Sequence, residues 1–103
     1  MVYNVVFEDE FQKKVRSILN YYVYECQQEK YANKIVEQIY TNVVEMIESN
    51  PYLYPKVLGK KNIRKALLIE TKYKIYYSIN EHEKTIYIFD IESFRQGRSR
   101  DAK

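Results

Sequence analysis

Residues 63–91 read IRKALLIETKYKIYYSINEHEKTIYIFDI. Three runs rich in β-branched and aromatic residues, 63–70, 73–79 and 85–91, are separated by Thr71-Lys72 and by the polar Asn80-Glu81-His82-Glu83-Lys84. Such compositions favour strands, and gaps of this length join antiparallel neighbours. The stretch therefore predicts a three-stranded antiparallel meander. Side chains alternate between the faces of a strand, so Ile75, Tyr77 and Ile79 share one face while Lys74, Tyr76 and Ser78 share the other. In the last run Tyr87, Phe89 and Ile91 oppose Ile86, Ile88 and Asp90. With the first set turned to a core, the second face carries Lys74, Tyr76 and Asp90 beside Ile86 and Ile88. A solvent face with that much Ile and Tyr reads as a contact surface.

The sequence before the meander supplies the layer that covers it. Residues 2–7 (VYNVVF) read as a short strand. Glu8-Asp9-Glu10 then places negative charge where a helix N-terminus favours it. Apolar residues recur at 11, 15, 18, 19, 22, 23 and 26, a 3.6-residue stripe that predicts a helix over about 9–28. A second stripe, Ala32, Ile35, Val36, Ile39, Val43, Met46 and Ile47, predicts a helix over about 29–49. Ser49-Asn50-Pro51 ends it, because proline lacks the donor and restricts the residue before it. Residues 51–62 (PYLYPKVLGKKN) form a loop with a basic end, and 93–103 read as a tail. The expected fold is α+β in the order β-α-α-β-β-β: an antiparallel-dominated sheet with a two-helix hairpin on one face, one domain over 1–103. The period does not give the strand order.

Composition narrows the function classes. At 103 residues and 46% apolar the chain can close one core, so global disorder is excluded. Its apolar runs stop at three or four residues, against the ~20 a spanning helix needs, so no membrane role is expected. MVYNVVFEDE lacks the basic and apolar segments of a signal peptide. One cysteine, Cys26, expected in the core, and one histidine, His82, expected in a solvated turn, make neither a disulfide nor a zinc cluster. A cytoplasmic setting with no metal or cofactor follows as the expectation. Residues 1–50 carry 5 basic and 8 acidic side chains, net −3, whereas 51–103 carry 12 and 6, net +6. Such asymmetry points the C-terminal half at an anionic partner.

Several phrases then resemble one family. Ile63-Arg64-Lys65-Ala66-Leu67-Leu68 after a Pro/Gly loop, Tyr73-Lys74-Ile75-Tyr76-Tyr77, and Ile88-Phe89-Asp90-Ile91 leading into Phe94-Arg95-Gln96 are similar, in order and spacing, to the RelE/ParE toxin superfamily. These are the toxin halves of bacterial type II toxin–antitoxin systems. The resemblance implies growth inhibition, neutralisation by a cognate antitoxin that wraps the toxin, and one of two targets. RelE-like members cut mRNA in the ribosomal A site, whereas ParE-like members inhibit DNA gyrase. By the same resemblance Lys74 falls where the ribonucleases place an active-site arginine, Lys65 near a strand lysine, and Arg95 at or beside their C-terminal arginine. Leu67 is apolar where RelE has a second lysine.

Cleavage by an internal 2′-hydroxyl needs a base, an acid and cations on the phosphorane. On the RelE-like reading Lys65, Lys74 and Arg95 are the cations, and Tyr76 or Asp90 the proton-transfer group. No Tyr or His follows Arg95, where RelE-like sites usually have one. That departure tilts the expectation to the ParE-like mode. Metal-independent mRNA cleavage is the alternative, and a decayed homologue that only binds antitoxin a third. For the antitoxin, Arg64, Tyr76, Ile86 and Ile88 are the expected contacts.

Overall fold

The computed structural model describes residues 2–60 and 62–94. Strand β1 (Asn4–Phe7) leads into a first helix, Asp9–Asn20, which continues in wider π-type turns over Tyr21–Glu25. A second helix is built from Glu29–Glu37, a π-type segment Gln38–Val44, and Glu45–Ser49. Between the two helices Gln27 takes a left-handed conformation, φ 54°, which reverses the chain. The first helix thus stops before Cys26. That thiol is half-buried at the helix end and lies outside the core, contrary to expectation. Strands β2 (Ile63–Leu68), β3 (Tyr73–Asn80) and β4 (Thr85–Ser93) follow. No described helix is long and apolar enough to cross a membrane.

The sheet order is β1-β4-β3-β2. The meander pairs antiparallel, and β1 adds to its far edge parallel to β4, with Asn4 opposite Thr85 and Phe7 opposite Ile88. This order explains the helices. The chain leaves one edge of the sheet at β1 and must re-enter at the other edge as β2. Residues 9–49 make that journey across one face and leave the opposite face bare. Phe11, Val15, Ile35, Ile39, Val43 and Ile47 descend from the helices onto Ala66, Leu68, Ile75, Tyr77, Ile86, Ile88 and Ile91. The stripes foreseen from the sequence supply the helical part of this core, except that Met46 is half exposed.

Strand β4 departs from simple alternation. Tyr76 pairs with Asp90 but Tyr77 pairs with Ile88, so Phe89 is an extra residue, a β-bulge. The bulge resets the phase within one strand. Ile86 and Ile88 before it, and Ile91 after it, all face the helices and are at most 2% exposed. The expectation that Ile86 and Ile88 lie on the open face is therefore wrong: they are core residues, and Tyr87 and Phe89 are the half-buried ones. β4 also extends through Glu92 and Ser93, which were expected to begin the tail.

Side-chain hydrogen bonds fix the ends of the sheet. Thr71 in the β2–β3 turn donates its hydroxyl to Gln38 Oε1 at 2.7 Å, and its carbonyl accepts from the Tyr31 hydroxyl at 2.7 Å. The buried Tyr77 hydroxyl donates to the Pro51 carbonyl at 2.8 Å, and burial pushes that phenol up to about 12. At the β3–β4 turn, Glu81 accepts from the hydroxyls of Tyr3 and Tyr52 and pairs with Lys84 at 2.5 Å. His82 lies exposed in that turn.

Candidate functional site

The register of the meander lays two rows of side chains across the bare face. Lys65, Tyr76 and Asp90 lie in one row, and Leu67, Lys74 and Glu92 in the next. Two of the expected site residues, Lys74 and Tyr76, converge on a third that the sequence reading missed. Glu92 Oε1 accepts the Tyr76 hydroxyl at 2.9 Å and lies 3.5 Å from Lys74 Nζ. The Lys74 and Glu92 side chains are only 15% and 13% exposed, so little water screens the pair. The contact from Tyr76 to Glu92 runs diagonally between the rows, a reach that aromatic side chains have on a pleated surface.

The remaining candidates are distributed differently. Lys65 is half-buried next to Tyr76 across the strand pair and forms no ion pair among the described residues. Asp90 is engaged by Lys14 of the first helix at 2.6 Å and accepts the Ile91 backbone N–H, so it ties the helix to the bulge. Arg64 is not part of the cluster. It shares its row with the core residue Tyr77, donates to the Tyr54 carbonyl at 2.6 Å and stacks over the Tyr52 ring, fastening the 51–62 loop. Arg95 lies outside the described residues. A groove of about 480 Å³ opens on the helix side at the same end of the sheet, lined by Tyr22, Tyr31, Tyr73 and Phe94. There the hydroxyls of Tyr22 and Tyr73 are 3.2 Å apart, and burial raises the Tyr73 phenol.

The bare face thus holds a carboxylate with an ammonium and a phenol on one of its oxygens, and a second ammonium in the next row. Such a set can hold a phosphate, accept a proton and stabilise charge that develops during a reaction. Glu92 was legible in principle. Once β3 and β4 pair around the short turn, Asp90 and Glu92 two residues apart must face the alternating Tyr76 and Lys74. Assigning Glu92 to the tail hid that match.

This architecture is the fold of the RelE/ParE toxin superfamily, as the sequence phrases implied. Solved structures that share it include the toxin–antitoxin complex RelBE2 of Mycobacterium tuberculosis, with a TM-score of 0.61, 15% identity, and 90% of this chain and 99% of that one covered. A mutant E. coli toxin RelE bound to an antitoxin RelBc peptide superposes with a TM-score of 0.52 at 17% identity, over 100% and 97%. The archaeal RelE–RelB complex of Pyrococcus horikoshii OT3 gives 0.50 at 16% identity, over 91% and 97%. No protein-family model and no curated protein sequence matches the chain.

Proposed function

We propose that this protein is the toxin of a type II toxin–antitoxin system, that it arrests growth by cutting mRNA in the RelE manner, and that a cognate antitoxin silences it. The observation that carries the reading is the convergence of Tyr76 and Lys74 on Glu92 beside Lys65. The ParE-like alternative drew its support from the missing proton-transfer residue after Arg95. A carboxylate on the cation-bearing face answers that need from another position. The antitoxin reading rests on the shared fold, the structures of complexes that carry it, and the net +6 of residues 51–103. With Ile86 and Ile88 in the core, its apolar contacts on this face fall to Leu67, 42% exposed beside Lys74, and to Tyr76.

The test is induced expression with and without the small protein encoded next to this gene. Growth arrest that the neighbour relieves, with codon-phased breaks in translating mRNA, is the expected result. Arrest with linearised plasmid, an induced DNA-damage response and intact mRNA would move the target to gyrase. Vigorous growth despite folded protein would leave only the antitoxin-binding homologue.

A further inference from the structure

On the ribonuclease reading, we infer that the Glu92 carboxylate is the group that takes the proton from the attacking 2′-hydroxyl, with Tyr76 as its positioning residue. Three observations support this. Glu92 is the one carboxylate on the bare face within reach of both Lys74 and Tyr76, since Asp90 is engaged by Lys14 on the first helix. Its Oε1 is occupied by the Tyr76 hydroxyl and approached by Lys74 Nζ, so those contacts fix its orientation and leave Oε2 to receive a proton. Its placement on the paired part of β4, opposite Lys74, holds the carboxylate on a rigid element, which is what a proton acceptor in hydrogen-bond reach of a substrate requires.

The step balances without an outside reagent. The 2′-oxygen attacks phosphorus and gives its proton to Glu92. The bond from phosphorus to the 5′-oxygen breaks, and the products are a 2′,3′-cyclic phosphate and a 5′-hydroxyl. The departing 5′-oxygen takes a proton from the Lys65 ammonium, across the strand pair from Tyr76. Lys74 stands over the phosphorane and stabilises its charge, the role in which preorganised cations contribute most.

Two substitutions test this on the full chain, with ribosomes programmed by a defined mRNA under single-turnover conditions. Glu92→Gln keeps the shape and the acceptor for Tyr76 but cannot take the proton. It should lower cleavage by ~10²-fold or more, the usual range for a lost acid–base group, and remove the fall in rate that wild type shows at acidic pH. Tyr76→Phe keeps the ring and frees the carboxylate. It should lower the rate by about tenfold and shift, without removing, that acidic limb. The thermal midpoint of each variant shows that loss is not unfolding. Cleavage by Glu92→Gln within about threefold of wild type overturns the assignment. So does a gain, which would make Glu92 an internal competitor for the phosphate. A wild type that cuts no RNA sinks the ribonuclease reading itself, a result distinct from either.

Discussion

Replacing Ile88 by alanine tests the bulge in β4, on which the assignment of both sheet faces depends. Ile88 pairs with Phe7 on one side and Tyr77 on the other, and it is fully buried under the helices. The substitution deletes three carbon groups. At ~0.8 kcal/mol for each buried group the transfer loss is about 2.4 kcal/mol. Strands on both sides and Phe11 and Val15 nearby keep the site from collapsing fully, so a cavity term brings the expected cost to about 3–4 kcal/mol. Urea unfolding measures it as a fall in midpoint at unchanged slope. In a chain of this size that is a drop of roughly 12–25 °C in thermal midpoint. Leu67→Ala, 42% exposed on the bare face, is the comparison and should cost no more than about 1 kcal/mol. If Ile88→Ala were as mild as an ordinary surface change, within ~0.5 kcal/mol, the phase of β4 would be wrong. Lys74, Tyr76 and Glu92 would then not share a face with open solvent.

Glu81 gives a pH prediction. Lys84, then the hydroxyls of Tyr52 and Tyr3, hold its carboxyl down to about 2. A depressed folded value adds stability above the unfolded carboxyl's range near 4.5 that is lost as pH falls toward 2, so Glu81→Gln should flatten the decline in thermal midpoint between pH 6 and 2.5. Identical slopes for the two proteins would refute it. Tyr77→Phe removes the buried donor to the Pro51 carbonyl, and should cost about 1–3 kcal/mol in urea unfolding; a neutral result would show that water replaces the phenol. Lys74→Ala should lose growth arrest while stability, read by thermal midpoint, falls by no more than about 1 kcal/mol, the scale of an exposed ion pair; a variant that folds and still arrests growth assigns Lys74 to the scaffold.

Most of the fold was legible because two signals agreed. Helical stripes such as Ile35, Ile39 and Val43 have one apolar face each and had to find a sheet, and the period change after Gly59 supplied the sheet. Strand order was not legible, since no local pattern shows that β1 joins the far edge of the meander parallel to β4. The faces of β4 were misread for a different reason. Both phases of Ile86-Tyr87-Ile88-Phe89 are apolar, so alternation cannot choose between them, and a one-residue bulge moves every side chain before it to the other face. The same error displaced the partner contacts onto Ile86 and Ile88. Lys74 and Tyr76 were found because β3 alternates cleanly. Glu92 was lost because β4 outlasts its apolar content, its last residues being held by pairing with Tyr73 and Lys74.

The ion pairs also change what the charge asymmetry means. A net +6 over residues 51–103 suggests a broad cationic plain. Yet Lys84 is paired with Glu81, Lys74 with Glu92, and Arg64 is turned to loop carbonyls. On the described part of the bare face, Lys65 and Lys74 are the cations in the cluster, and one of them already faces a carboxylate. Proteins that bind nucleic acid by tracking the backbone neutralise many phosphates and lose affinity steeply with salt. A face built around one carboxylate and two ammonium groups suits chemistry at a single phosphate instead. On the proposed function, the affinity and alignment that this face lacks must then come from whatever presents the mRNA. A ribosome holding a codon in place supplies both, and so a toxin of this design would act on translating mRNA far better than on the same RNA free in solution.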